Sequence, residues 1–473
     1  MDFKKNKIPD DVKTIHLTAV CGTGMGALAC MLKDMGFKVT GSDHKIYPPV
    51  SDFLFEKGIN ILENFHGNNL SYKPDLVIIG NAVTKNNPEA VKADAMGLYF
   101  CSMPQALNRF VIKNKKSILV TGTHGKTTTS SLMAWLLFCA GLDPGFMIGG
   151  ILNNFNSNYR LGNGSHIVIE GDEYDTAFFD KGPKFLHYTP LITILTGIEF
   201  DHADIFKDIN HVESVFDQLI SDLPTDSTLI AFSEDKKVMK LLDRAKCRTL
   251  TYGIQQHSFW RMGNITVDPP WSIFDVYRNG KLFSCFKTRL MGEHNIMNAL
   301  SVIASADNLR IPREITAKAL ETFKSVKRRQ EVRGRKKGIT VMDDFAHHPT
   351  AVRETIKGVK PFFQDGRIIA VFEPRTNTSM RDVFQDTYTD SFEMADIVCI
   401  RKPPLLDKIP KDERFSSEKL AADLKKKGKN AFYFPDTQAI IDFLVNEARA
   451  NDLILIMSNG SFDNIHEKLL ASL

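Results

Sequence analysis

The run Ser117–Thr129 constrains the fold of this chain more than any other stretch, because it joins a β-branched segment to two glycines and a lysine–threonine pair. Apolar residues recur at helical spacing after it, so the run predicts a strand, a loop and a helix. In such a loop the N–H groups at the start of the helix point at a bound phosphate. Lys126 adds a positive charge and Thr127 a ligand for Mg²⁺. The site should therefore bind ATP.

The spacing within this run departs from the usual phosphate-binding loop. Only Thr123 and His124 separate the two glycines, whereas four residues normally do so. The shortening weakens a motor or GTPase interpretation, and a glycine turn beside an unrelated lysine is the structural alternative. The residues predicted to contact ATP in this run are Gly122, Thr123, His124, Gly125, Lys126, Thr127 and Thr128.

Length and composition bound the class of protein. A chain of 473 residues suggests about three domains, since one domain has roughly 150 residues. A net charge of +4 is spread along the sequence, so the basic clusters Arg333–Lys337 and Lys425–Lys427 are interpreted as solvated faces and no nucleic-acid partner is predicted.

The location of the protein is predicted from its N-terminus and its cysteines. The polar start Met1–Lys13 and the lack of a run of about 18 apolar residues predict a cytoplasmic protein without a membrane segment. Seven cysteines are scattered without a CxxC pair, which favours buried, reduced thiols over disulfides or a zinc site.

The first 116 residues alternate between strand and helix patterns, which predicts a parallel sheet. After a strand at Ile15–Val20 comes a turn that fits GxGxx(G/A), and Asp43 follows about 20 residues later. This turn predicts a diphosphate site made by Gly22, Thr23, Gly24, Met25 and Gly26, with Asp43 on a ribose hydroxyl. The pattern alone leaves NAD, a UDP-sugar and a plain glycine turn open.

Two acidic clusters follow predicted strands in the middle of the chain. The strand His166–Ile169 leads into Glu170–Asp175, where Glu170 and Glu173 are candidate Mg²⁺ ligands and a solvated acidic turn is the alternative. The strand Leu191–Leu195 precedes Asp201-His202-Ala203-Asp204. His202 could bind a second cation or carry charge near a reacting oxygen, although a histidine in such a place is more often packed or capping.

Further polar residues follow in the last part of the chain. Asn295 and Asn298 share one face of a predicted helix and could bind adenine or cap the helix. The predicted strands Ile339–Met342, Ile368–Phe372, Ile397–Ile400 and Leu453–Met457 alternate with helical patterns and imply a second α/β sheet. Polar clusters Asp343–Thr350 and Glu373–Thr378 follow the first two of these strands, at the edge where open α/β sheets bind ligands.

Six motifs in order resemble those of the Mur ligases, the ATP-dependent amino-acid and peptide ligases of peptidoglycan assembly. They are Thr121–Thr129, Glu170–Asp175, Asp201–His202, His294–Ala299, Arg328–Arg329 and Asp343–Thr350. The resemblance implies three α/β domains: a Rossmann-like UDP-binding domain (1–116), a central P-loop ATPase domain (117–326) and a Rossmann-like C-terminal domain (327–473).

The resemblance also implies roles for single residues. Catalysis is expected from Lys126, His202, Arg329, Asp344 and His347. Mg²⁺ is expected on Thr127, on Glu170 or Glu173, and on His202, and ATP is expected to contact Asn295, Asn298, Arg329 and Asp344 as well as the phosphate loop. Arg375 is a candidate for a peptide carboxylate, because a guanidinium matches a carboxylate bidentately, and an arginine in a surface ion pair is the alternative. Closure of the third domain is expected to complete the site.

Within the family, the motifs resemble the branch whose acceptor is L-alanyl-γ-D-glutamyl-meso-diaminopimelate. They resemble less the branch that takes free L-alanine, which typically has tyrosine and glycine where Phe345 and Ala346 stand. The expected substrates are ATP, UDP-N-acetylmuramate and this tripeptide, and the oligomeric state is left open. A nucleotide-dependent switch and a NAD-dependent dehydrogenase are the alternatives from other classes.

Overall fold

The computed structural model describes residues 2–48, 50–203 and 205–473, and these form two compact units. The first unit contains the chain up to Ile198 with Asn210–Ser258 and Ser301–Ala319, and the second contains Glu199–Ile209, Phe259–Leu300 and Leu320–Leu473. The second unit thus includes two segments from the middle of the chain. Asp204, which the sequence places beside Asp201 and His202, lies outside the described residues.

The N-terminal part of the first unit is a parallel sheet. Its strands are β1 (Thr14–Thr18), β2 (Lys38–Asp43), β3 (Asn60–Glu63), β4 (Leu76–Ile79) and β5 (Phe100–Ser102), in the order β3-β2-β1-β4-β5. Its helices are α1 (Thr23–Asp34), α2 (Val50–Glu56), α3 (Pro88–Ala95) and α4 (Met103–Leu107). The predicted βαβ series is confirmed. The strand order reverses between β1 and β4, and such a reversal opens a crevice at the carboxyl ends of the strands.

A buried carboxylate links neighbouring strands of this sheet through hydrogen bonds. Glu89, fully buried at the start of α3, accepts hydrogen bonds from Thr18 (2.7 Å) and Ser42 (2.7 Å) on neighbouring strands. Asn69 donates to its other oxygen at 2.7 Å, and a ring nitrogen of the buried His16 lies 3.2 Å away. Burial would raise the pKa of Glu89, but the hydrogen bonds outweigh it and lower the pKa.

The rest of the first unit surrounds the phosphate loop. Its sheet strands are β6 (Lys116–Thr121), β7 (Gly145–Leu152), β8 (Ser157–Arg160), β9 (His166–Gly171), β12 (Ile192–Leu195), β13 (Thr228–Phe232) and β14 (Arg248–Gly253), beside the hairpin β10 (Asp175–Ala177) and β11 (Asp180–Pro183). The order is β14-β13-β12-β6-β9-β7-β8. Its helices are α5 (Lys126–Cys139), α6 (Ile209–Asp222) and α7 (Lys236–Leu241). Because β6 pairs in parallel with both β9 and β12, the carboxyl ends of these three strands meet at one edge.

The second unit contains an antiparallel meander and another α/β sheet. The meander is β15 (Trp260–Asp268), β16 (Trp271–Arg278) and β17 (Lys281–Thr288). The sheet has β18 (Glu331–Lys336), β19 (Ile339–Asp344), β20 (Ile368–Phe372), β21 (Ile397–Arg401), β22 (Asn430–Phe434) and β23 (Leu453–Met457), in the order β18-β19-β23-β20-β21-β22. The helices of this unit are α10 (Pro349–Val359), α11 (Tyr388–Ser391), α12 (Ser417–Lys426), α13 (Thr437–Glu447) and α14 (Ile465–Ser472), and two further helices, α8 (Glu293–Asn308) and α9 (Arg313–Thr322), have residues in both units.

Both faces of the last sheet are buried, which explains its nearly continuous apolar strands. Along β20, Ile368, Ala370 and Phe372 pack into one hydrophobic cluster, whereas Ile369 and Val371 pack into another on the opposite face. Successive side chains of a strand point to opposite faces, so each face needs its own helices. The predicted second α/β sheet is confirmed, and β18 adds an antiparallel edge strand that was not predicted.

All seven cysteines are free thiols, and Cys21, Cys30, Cys101 and Cys399 are buried. The expectation of burial is wrong for Cys285, which is exposed on β17. Cys285 alternates with inward-facing residues on a strand that is covered on one side only. Among the described residues, no helix is both long and apolar enough to cross a membrane.

Glu89→Ala should lower the free energy of unfolding by about 3 kcal/mol, because the buried donors around Glu89 lose their acceptor. Since the pKa of Glu89 is lowered by folding, its contribution is complete at neutral pH and is lost as the pH falls through that lowered value. Urea denaturation at several pH values measures both effects. The exposed Glu56→Ala is the matched control and should change stability by less than about 0.5 kcal/mol; equal losses in both variants would contradict the structural role of Glu89.

Candidate active site

The phosphate loop connects β6 to α5, as predicted. Gly122 and Gly125 have φ values of 123° and 80°, a region that side chains other than hydrogen disfavour. The loop is fastened to the end of β12, where Thr123 N–H donates to the Gly197 carbonyl (2.9 Å) and the Thr196 hydroxyl donates to the Thr121 carbonyl (3.1 Å). Lys126, Thr127 and Thr128 form the first turn of α5, so the loop presents the start of a 14-residue helix to a phosphate.

The acidic cluster at the carboxyl end of β9 lies beside this loop, and each of three carboxylates has its own partner. Glu170 accepts from the Thr127 hydroxyl (2.9 Å) and from Gly149 N–H (2.8 Å). Glu173 accepts from the Lys126 ammonium at 2.9 Å. Asp172 pairs at 2.9 Å with Lys184, whose ammonium also lies 3.7 Å from the centre of the Tyr174 ring. Because each carboxylate has a partner, the cluster is not the solvated acidic turn that was the structural alternative.

Burial and partners give these carboxylates different electrostatics. Burial raises the pKa of Glu170, and the nearby charge of Asp172 raises it further. Burial would also raise the pKa of Asp172, but the charges of Lys184 and Lys126 outweigh it and lower the pKa. An added cation would therefore stabilise the carboxylate form of Glu170. Together with the Thr127 hydroxyl it offers the oxygen ligands that Mg²⁺ prefers, so these residues fit the ion.

The first glycine turn lies at the carboxyl end of β1, where the strand order reverses. Gly22 precedes α1, which begins at Thr23, and Gly26 N–H donates to the Gly22 carbonyl (2.8 Å). Gly24 and Met25 lie in the first turn of α1. Asp43 accepts from Cys21 N–H at 2.9 Å, so one of its oxygens holds the turn itself.

His202 belongs to the second unit, where its neighbour Asp201 lies close to the histidines that follow β19. His202 has a left-handed backbone (φ 55°) and its N–H donates to Asp201 (2.7 Å). His347 lies 3.9 Å from Asp201, and His348 contacts the Phe200 carbonyl at 3.2 Å. Burial would raise the pKa of Asp201, but His347, His202 and His348 outweigh it and lower the pKa to about 2. The cluster therefore keeps a carboxylate charge among three histidines.

Asp344, at the end of β19, is held by the backbone on both sides. It accepts from Gln330 N–H (2.9 Å) and Ala346 N–H (2.8 Å). Burial raises its pKa, and the charge of Arg329 opposes that rise. The Arg329 guanidinium lies 4.7 Å from the centre of the Phe345 ring, a cation–π contact that fixes its direction.

The two asparagines of α8 lie on one face, as predicted. Asn298 donates to the Asn295 amide oxygen at 3.3 Å. Asn295 in turn donates to the Met291 carbonyl (2.9 Å) and to the side chain of Gln330 (3.1 Å). Gln330 thereby connects the asparagines to Asp344 within the second unit.

Arg375 follows β20 and lies 3.6 Å from Glu373, which is fully buried. Glu373 also accepts from Ser458 (2.7 Å) and pairs with Arg401. Arg375 is packed close to Gly460, where an added Cβ would overlap its guanidinium. Its guanidinium is therefore positioned by a carboxylate of the same sheet and is about one-quarter exposed (28 %).

Three family models match the chain in sequence. The Mur ligase family catalytic domain matches residues 14–115, the Mur ligase middle domain residues 120–306, and the glutamate ligase domain of Mur ligases residues 328–460. The chain belongs to the Mur ligase family. It is thus an ATP-dependent ligase with the three-domain Mur ligase architecture, and the switch protein and the dehydrogenase are excluded.

Individual Mur ligases match over nearly the full length. The chain is 39% identical, over 98% of its length and 99% of the relative, to the UDP-N-acetylmuramate–L-alanyl-γ-D-glutamyl-meso-2,6-diaminoheptandioate ligase of Haemophilus influenzae. A crystal structure of a murein peptide ligase from Psychrobacter arcticus matches with a TM-score of 0.71 and 33% identity, covering 98% of both chains. The UDP-N-acetylmuramate-alanine ligase of Thermotoga maritima matches with a TM-score of 0.80 and 25% identity, covering 98% of this chain and 99% of that one.

The sequence did not identify every residue of this Mur ligase site. Lys184 was missed because it lies beyond the hairpin β10–β11, 12 positions from Asp172. Thr196 and Gly149 were missed because each contributes through the backbone or through a bond to the backbone. The acidic residues were the one sequence signal for these missing partners, since a carboxylate that becomes buried requires a cation or a hydrogen-bond donor beside it.

Gly122→Ala should weaken ATP binding, because its Cβ would lie 2.4 Å from the Thr196 hydroxyl and 2.8 Å from the Gly197 carbonyl. Gly182→Ala is the matched control. Gly182 has a similar φ of 118°, but its Cβ would meet no described atom within 4 Å. Both variants carry the same backbone strain, so only the first should lose nucleotide affinity, by more than about tenfold. Calorimetric titration with ATP measures this, and comparable losses in both would assign the effect to strain alone.

Proposed function

We propose that this Mur ligase joins L-alanyl-γ-D-glutamyl-meso-diaminopimelate to UDP-N-acetylmuramate, with ATP converted to ADP and phosphate. The observation that carries the proposal is the 39% identity, across 98% of the chain, to a ligase named for that acceptor. The role suits recycling of cell-wall peptide in the cytoplasm, where nucleotide-activated precursors and ATP are available. The substrates are small molecules, and no membrane or nucleic-acid partner is required.

In the proposed reaction the lactyl carboxylate of UDP-N-acetylmuramate attacks the γ-phosphorus of ATP. An acyl phosphate forms and ADP leaves. The free amine of the tripeptide then attacks the acyl carbon, loses a proton, and expels phosphate from the tetrahedral intermediate as the amide forms. Both steps gather negative charge on transferring oxygens, so the enzyme acts mainly by positioning and charge neutralisation.

The phosphate loop supports the first step. Lys126 is proposed to neutralise the β- and γ-phosphates, while Thr127 and Glu170 hold one Mg²⁺. The hydrogen bond between these two side chains and the raised pKa of Glu170 support this choice of ligands over Glu173. Mg²⁺, when bound, supplies positive charge to the phosphate oxygens.

Residues of the second unit are proposed to act on the nucleotide and on the transferred phosphoryl group. His202 is proposed to hold a second Mg²⁺, and the adjacent carboxylate of Asp201, which accepts the His202 N–H, would place negative charge beside that ion. Arg329 and His347 carry positive charge to the phosphoryl oxygens, and Asp344 fixes Arg329 and the nucleotide. Asn295 and Asn298 contact adenine, or position the segment around Gln330 that does so.

The first domain is proposed to hold the UDP diphosphate. Its glycine turn, residues 22–26, lies at the reversal of strand order, where such sheets bind ligands. Asp43, which holds the turn through Cys21 N–H, is proposed to contact the uridine ribose with its other oxygen. Arg375, whose guanidinium beyond β20 is about one-quarter exposed, is proposed to bind a carboxylate of the peptide.

A second candidate function, ligation of free L-alanine, is favoured by the TM-score of 0.80 to an alanine ligase. Phosphate release distinguishes the two. With ATP, Mg²⁺ and UDP-N-acetylmuramate present, we expect turnover with the tripeptide and at least about 100-fold less with L-alanine, because a site for a large acceptor gains little binding energy from a small one. Turnover mainly with L-alanine would reverse the assignment, and none with either acceptor would contradict both.

Arg375→Leu should raise the KM for the tripeptide by about tenfold or more, because a charge-assisted hydrogen bond to a carboxylate is lost. The KM for ATP should stay within about twofold. Arg353→Leu, which removes an arginine paired with its neighbour Glu354 on α10, is the matched control and should change neither value. Equal effects on both KM values would show that Arg375 supports the fold instead of the acceptor.

A further inference from the structure

The acidic cluster contains a carboxylate that the ligase reaction does not explain. Glu173 is almost fully buried (2 %) and its partner is the lysine of the phosphate loop. We propose that Glu173 is the resident counter-ion of Lys126 in the nucleotide-free enzyme and that it competes with the phosphates of ATP for this lysine. This inference deepens the proposed function, because it concerns the regulation of the same nucleotide site.

The position of Lys126 carries the inference. Its ammonium lies 2.9 and 3.3 Å from the two oxygens of Glu173 and donates to the Gly122 carbonyl at 2.6 Å. The side chain therefore folds back over the loop whose N–H groups would hold phosphate. An ammonium can donate three hydrogen bonds, so binding to ATP requires Lys126 to exchange at least one of these oxygens for a phosphate oxygen.

The arrangement of the neighbours argues for a counter-ion and against a metal ligand. Glu170 accepts a hydrogen bond from the hydroxyl of Thr127, and the threonine at this position holds Mg²⁺ in phosphate loops. Asp172 is matched by Lys184. Glu173 contacts Lys126 through both of its oxygens, and this contact keeps a negative charge beside the phosphate position.

Two consequences follow from charge alone. Without nucleotide, a buried ammonium with no carboxylate beside it would be costly, so Glu173 keeps Lys126 charged and oriented. With nucleotide bound, the same carboxylate repels the phosphates, and it pairs with Lys126 again when the nucleotide leaves. Glu173 thus lowers the affinity for adenine nucleotides and favours release of ADP after each turnover.

Glu173→Gln tests the proposal, since it keeps the volume and removes the charge. ADP titrated calorimetrically in EDTA should bind about tenfold more tightly to the variant, because one negative charge a few ångströms from the phosphates is gone. The Mg²⁺ concentration for half-maximal turnover should be unchanged. Asp175→Asn is the matched control: it removes a more exposed carboxylate of the same run, paired with Lys181, and should alter ADP affinity by less than about twofold.

The outcomes separate the counter-ion from its rivals. Unchanged or weaker ADP binding in EDTA, or a greater need for Mg²⁺, would overturn the proposal and make Glu173 a structural residue or a metal ligand. Glu173→Asp keeps the charge and should retain affinity close to that of the wild type, which tests the idea even if the glutamine variant is unstable. Wild-type turnover with the tripeptide alongside unchanged ADP affinity in Glu173→Gln would overturn only this inference, whereas a wild-type protein that binds no adenine nucleotide would overturn the proposed function as well.

Discussion

The pairing of buried carboxylates with cations and donors at the carboxyl edge of the central sheet is the interaction on which the rest of the nucleotide site depends. Three acids occur within four positions at the carboxyl end of β9, and they would repel one another strongly without partners. Lys126, Thr127 and Lys184 supply those partners from α5 and from the segment after β11. The parallel pairing of β6 with β9 brings these elements to one edge, so the sheet topology and the electrostatics of the site cannot be separated.

The same solution recurs at the other two α/β sheets. In the N-terminal sheet Glu89 accepts hydrogen bonds from donors on β1 and β2. In the C-terminal sheet Glu373 accepts from Ser458 and pairs with Arg401, which lie at the ends of neighbouring strands. A buried carboxylate accepts several hydrogen bonds in fixed directions, so it restricts how adjacent strand ends can lie. Each of these sheets thereby gains a rigid edge at the position where open α/β sheets bind ligands.

Local pattern was sufficient to predict much of this architecture. The strands Ile368–Phe372 and Leu453–Met457 were predicted with the bounds observed, because strands buried on both faces read as continuous apolar runs. The antiparallel β18 was not predicted, since an exposed edge strand rich in Arg and Lys resembles a solvated loop. Within the site, the glycines and the acidic run were visible in the sequence, whereas the partner of each acid was not. Which residue becomes such a partner, as Lys184 does, depends on the path of the chain between strands. The domain boundaries at 116/117 and 326/327 remain predictions.

Because the fold matches a peptide ligase and an alanine ligase comparably well, with TM-scores of 0.71 and 0.80, the sheets cannot determine which acceptor is used. That choice must be made by side chains beyond the strand ends. Arg375 is suited to it because Glu373 holds its guanidinium from one side and leaves part of it exposed, so a substrate carboxylate bound there would meet a donor that is already oriented. The entropy of fixing a long arginine is then lost on folding and not on binding. The buried Glu373, which no substrate needs to touch, would thus contribute to acceptor affinity through the arginine that it positions.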